Sequence, residues 1–105
     1  MMIESLKYLL TPCDPQYKKM GFLTEFIGID ARAKRCRVAW TPHLEHTKNA
    51  ITQTIKKLPH HHTAIFLGAG HCFDIPLESI ARSFKQVILI DLIFSLSTML
   101  RAKKL

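Results

Sequence analysis

One stretch constrains this chain more than any other: a short apolar run, a glycine turn, a helical pattern and a second apolar run that ends in an acid. Thr63 to Leu67 is apolar after its first residue and is closed by Gly68-Ala69-Gly70. A run this short, bounded by glycine, predicts a buried strand. Leu77, Ile80, Ala81 and Phe84 then repeat at helical spacing, with Asp74 as a candidate N-cap and Pro76 in the first turn. Val87 to Ile90 predicts a second buried strand, and Asp91 follows it directly. Strand, helix, parallel strand is a βαβ unit. Strands apolar on both sides are what a sheet covered by helices on both faces requires.

The rest of the chain is helical in pattern, and the two regimes meet near Pro59. This divides the protein into a helical segment, 1–59, and a partial Rossmann-like unit, 60–105. Ile3 to Leu10 predicts a short helix stopped by Thr11-Pro12, with a turn through Asp14 and Pro15. A long helix is expected from about Pro15, because Phe22, Phe26, Ile29, Ala33, Cys36 and Trp40 fall on one helical stripe. That stripe reads as core or interface, with a short coiled-coil seam as the alternative. Thr41-Pro42 predicts the cap and first position of a third helix, and Leu44, Ile51, Ile55 and Leu58 share one face of it. Leu92, Ile93, Leu96, Met99 and Leu100 suggest a closing helix.

Composition narrows the class. Of 105 residues, 48% are hydrophobic, which favours a packed domain over disorder. A domain so short is marginal without further support. No apolar run approaches the roughly 18 residues of a membrane span, and MMIESLKYLL has an early acid and none of the layout of a signal peptide. Three widely spaced cysteines, Cys13, Cys36 and Cys72, suit a reducing cytoplasmic setting. The net charge of +7 is compatible with nucleic acid, and Arg32, Arg35 and Arg37 are candidates for phosphate contact. A solvated helix face is the plainer reading of that cluster.

The candidate site lies in the glycine turn. Glycines let a backbone turn sharply and approach a ligand closely. Asp91 stands 21 residues after Gly70, at the end of the second strand, where a carboxylate can accept both hydroxyls of a ribose. An ordinary turn at the glycines and an N-cap at Asp91 are the alternatives. A dinucleotide fingerprint places a third glycine three residues after the second, and here that residue is Phe73. A cofactor without a pyrophosphate fits better.

The stretch AIFLGAGHCFDIPLESIARSFKQVILIDL resembles the first two cofactor motifs of class I, Rossmann-like S-adenosylmethionine-dependent methyltransferases, and RCRVAWTPHLEHTKNAI is similar to the helical lead-in of a bacterial group of them. The resemblance covers most of residues 31–105. It implies S-adenosylmethionine as cofactor, with Gly68, Ala69 and Gly70 beneath it, Asp91 on its ribose and Asp74 ordering the loop or meeting the methionine end. Phe66 stands where the family commonly has an acid. The family's sheet has seven strands and this chain holds two, so an incomplete doubly wound sheet, inactive alone, is expected.

Other chemistry is poorly supported. His43 and His46 lie three apart and His60, His61 and His62 are consecutive, but no fourth-ligand pattern completes a zinc site. His71 and Cys72 are adjacent, and sequence neighbours rarely face each other as base and nucleophile. A strand whose outer edge lacks a partner predicts a homo-oligomer, a dimer foremost, through the sheet edge and the amino-terminal helices.

Overall fold

The computed structural model describes residues 2–105, with side chains from Ser5 onward. Four helices come first: α1 (Met2–Leu10), α2 (Pro15–Lys19), α3 (Phe22–Arg35) and α4 (Arg37–Lys57). The order then becomes β1 (Thr63–Leu67), α5 (Leu77–Ser83), β2 (Gln86–Ile90) and α6 (Leu96–Lys103). The two strands are parallel, in a register that pairs Thr63 with Gln86 and Leu67 with Ile90. The protein is thus a mixed α/β chain with a two-stranded parallel sheet. Among the described residues no helix is long and apolar enough to cross a membrane.

The long helix expected from Pro15 is broken twice. Gly21 adopts φ +86°, a left-handed conformation that ends α2 and redirects the chain into α3. The second break is a kink at Cys36, across which hydrogen bonds continue: the Cys36 amide donates to Arg32 and the Trp40 amide to Cys36. Helix α4 therefore starts before Thr41, and Pro42 lies inside it. Proline has no amide to donate to the carbonyl four residues back, here that of Val38. Val38 is 90% exposed, which leaves that carbonyl to solvent.

These breaks shift the buried face of α3. Phe22 and Ile29 are exposed, whereas Leu23 and Ile27 are buried against Ile93, with Tyr8, Cys13 and Phe26 around them. A second cluster joins Cys72, Ile75, Leu77 and Ile80 to Ala64, Phe66, Val87 and Leu89 of the sheet, and Ile51 and Ile55 of α4 close it. Each cluster draws residues from both sides of Pro59. His61 adds a tie there: its Nε2–H donates to the Ile55 carbonyl at 2.8 Å.

Helices cover only one face of the sheet, contrary to the expectation from its apolar strands. Ala64 and Phe66 point to the core, while Ile65 and Leu67 are 58% and 80% exposed. Ile90 and Leu92 are about half exposed beyond them. The chain measures 46 × 30 × 23 Å, with a radius of gyration of 15.0 Å. A compact chain of this length would give about 13 Å.

Candidate cofactor site

The glycine turn leaves the carboxyl end of β1 and is clipped at once to β2. The Gly68 amide donates to the Ile90 carbonyl at 2.7 Å, and the Ala69 amide to the same oxygen at 3.3 Å. Ala69 is buried and anchors the turn in the sheet cluster. Gly68 has φ +76° and Gly70 φ +34°. Asp91 follows β2, is exposed, and accepts the Leu92 amide through Oδ1 at 2.7 Å. Gly68, Ala69, Gly70 and Asp91 are thereby brought to one end of the sheet.

The two glycines differ in what surrounds them. A Cβ on Gly68 would meet nothing within 4 Å. A Cβ on Gly70 would lie 3.0 Å from Asp91 Oδ2 and 3.1 Å from Phe26 Cε2. Close approach at Gly70 is thus made by the protein itself, and open space lies over Gly68.

Asp74 does not join this group. It sits in the turn before α5, exposed, with no hydrogen bond or ion pair among the described residues. Nor does it cap α5, which starts at Leu77 with Pro76 at the N-cap position and no side-chain cap. Proline disfavours helical geometry in the residue before it, here Ile75, which favours a start delayed past Asp74.

Phe26 is the residue that the sequence did not point to as part of the site. The His71 ring stacks on Phe26 at 3.8 Å and on Phe73 at 4.7 Å, both nearly parallel. Its Nε2–H donates to the Phe26 carbonyl at 2.8 Å. Burial in this pile holds the imidazole below its ordinary pKa, against the opposing pull of that hydrogen bond and of Asp30 and Asp91. Phe26 belonged to a recognisable apolar stripe, but its partner lies 45 residues away, beyond what periodicity can report.

Cys72 is buried and has φ +55°. Burial pushes its thiol up in pKa, opposed by a hydrogen bond with Thr98 and by Arg101. His71 and Cys72 thus engage different partners, as neighbours in sequence should. Among the described residues no three His, Cys, Asp or Glu side chains converge as a metal site would need. His62 instead meets the Thr63 hydroxyl at 2.7 Å through Nδ1.

Two ion-pair groups frame the site. Asp30 of α3 takes Lys7 of α1 and, at 3.4 Å, Lys34. Burial acts to raise the Asp30 pKa, but the two lysines outweigh it and hold the carboxyl below its usual range. Arg101 of α6 grips Glu78 of α5 with two hydrogen bonds, at 2.7 and 2.9 Å. Compared with protein-family models, with curated proteins and with solved structures, the chain matches none of them.

Proposed function

We propose that residues 60–105 are the opening half of a Rossmann-like, S-adenosylmethionine-binding unit of the methyltransferase kind, preceded by the helical segment 1–59. The observation that carries this reading is the carboxylate of Asp91 at the end of one parallel strand, against the glycine turn that ends the other. Ligands of open α/β sheets bind outside the carboxyl ends of the strands.

The residues present fit the ribose end of that cofactor. Asp91 is exposed, its Oδ1 accepts the Leu92 amide and its Oδ2 lies toward Gly70, which leaves further lone pairs of the carboxylate to accept hydroxyls. Gly68 leaves open space beside it. The methionine end fits less well, since Phe66, in place of an acid, packs into the sheet core. When bound, the cofactor supplies an electrophilic methyl group; the contribution of this chain is to hold and orient it. His71 is engaged in packing: its Nε2–H donates to the Phe26 carbonyl and its ring stacks on Phe26 and Phe73. The unit binds and positions, and is inactive alone.

Calorimetry with S-adenosylmethionine tests the reading. Weak or absent binding to the intact chain is expected, with any residual affinity lost in Asp91→Ala and in Gly68→Val. Tight binding that survives both changes refutes the site. Methyl transfer to a cell extract, abolished by Asp91→Ala, contradicts the inactive state.

A second reading is favoured by the bare sheet face. Ile65 and Leu67 leave β1 exposed and apolar. Contiguous apolar surface of this kind marks interaction sites. In this reading the chain is a homo-oligomeric assembly module, a dimer foremost, joined through β1 and the amino-terminal helices.

A further inference from the structure

Helices α3 and α4 meet at the Cys36 kink and leave a groove of about 350 Å³. Lys34, Arg37 and Lys48 line it, and Phe73 forms part of its wall. Two acids also line it, and each is held by a lysine: Asp30 lies 3.4 Å from Lys34, and Glu45 lies 3.6 Å from Lys48. Arg37 makes no ion pair among the described residues and is exposed. It lies in the first turn of α4, directly after the carboxyl end of α3. No local pairing accounts for an arginine there.

Phe73 gives the groove a second property. One side of its ring is stacked on His71, which is stacked on Phe26. The ring therefore ends a rigid pile of three and borders both this groove and the adjoining cavity of about 440 Å³. A fixed aromatic surface among cations is the combination that holds unpaired bases while their phosphates are neutralised.

We infer that this groove binds single-stranded nucleic acid, with a phosphate on Arg37, neighbouring phosphates taken by Lys34 and Lys48 in exchange for their acid partners, and a base extending the Phe73 stack. The +7 charge of the chain supplies long-range attraction, and the concave groove supplies the place. A flat anionic membrane would not reach a ring and cations set in a groove as an extended strand does. The inference stands whether or not S-adenosylmethionine binds beside Gly68.

Fluorescence anisotropy with a labelled oligouridine of about twelve nucleotides tests it. The double change Arg37→Glu with Lys48→Glu is compared with Lys103→Glu with Lys104→Glu, which alters the charge equally at the far end of α6. The groove variant is expected to weaken binding at least about tenfold, and the α6 variant no more than about twofold. Phe73→Leu, which keeps an apolar group in place, is expected to weaken binding by about fivefold or more, with a smaller effect on the salt slope than the charge changes. Circular dichroism verifies that each variant is folded. Equal losses in the two charge variants would reduce the effect to diffuse attraction and overturn the inference. So would an intact chain that ignores the oligonucleotide, or one that binds anionic vesicles through Arg37 and Lys48 in preference to it.

Discussion

Asp91 and Gly70 are in contact: the carboxylate Oδ2 stands 3.0 Å from the point that a Cβ at position 70 would occupy, although 21 positions separate the residues. Phe26 closes the same point from the other side, at 3.1 Å. Gly70→Ala therefore crowds Asp91 and Phe26, which must give by a few tenths of an ångström, and adds strain at φ +34°. A cost of about 1–3 kcal/mol follows, or a fall of roughly 5–20 °C in Tm for a domain of this size. Gly68→Ala carries strain only and is expected to cost about 1 kcal/mol. Thermal unfolding of the two variants side by side measures the difference; equal losses would show that the contact around Gly70 is not tight.

His71 links stability to pH. Its pKa is held below 6.5 in the folded chain by burial. Below pH 6.5 the unfolded chain takes up the proton first, so this contribution is present above 6.5 and is lost as pH falls through the folded value. His71→Phe keeps a stackable ring and removes the titration. Urea midpoints measured between about pH 7 and 5 should decline less steeply for the variant than for the parent chain. A parallel decline in both would assign the dependence to other groups.

Glu78 acts in a lower window. Arg101 holds its carboxyl down to about 2, from an ordinary value of 4.5. The pairing contributes above pH 4.5 and is lost as the medium is acidified toward pH 2. Glu78 is 47% exposed, so solvent screening keeps the contribution small, below about 1 kcal/mol. Glu78→Gln should remove that acid sensitivity and leave neutral-pH stability nearly unchanged. A loss of several kilocalories at pH 7 would mean that the pair fixes α6 to α5 far more firmly than a surface contact.

The bare face of β1 predicts self-association. Leu67, 80% exposed, is an economical place to test it. The intact chain is expected to be a dimer at micromolar concentration, and Leu67→Lys a monomer of equal helical content, since burying a lysine in an interface through this face is costly. Light scattering decides the point. A stable, cooperatively folded monomer of the parent chain would exclude the interface.

Some of this architecture was legible in the residues. Glycines at one strand end and an acid at the other fixed the order and direction of β1, α5 and β2, because short apolar runs bounded by glycine leave few choices. The helical segment was less legible. Gly21 sits inside a periodic apolar pattern that hides it, although one left-handed residue suffices to end a helix. Pro42 favours a helix start, yet the Trp40 amide before it is satisfied across the Cys36 kink and α4 begins earlier. Apolar alternation also overstated the cover on the sheet. The residues of β1 are apolar on both sides, but only tertiary contacts decide which side is buried. The Phe26–His71–Phe73 pile depends on such contacts and has no local signature.

Ile93 lies two residues past Asp91 yet is buried with Leu23 and Ile27 of α3. The backbone carrying the carboxylate is thereby fastened to residues of α3 more than sixty positions before it. Contacts spanning that distance close late in folding, since the entropy of a long loop must be overcome before they form. The geometry around Gly70 and Asp91 thus depends on the docking of α3 as well as on strand pairing, and shortening Ile27 or Ile93 is expected to loosen the site while the pairing of β1 with β2 persists.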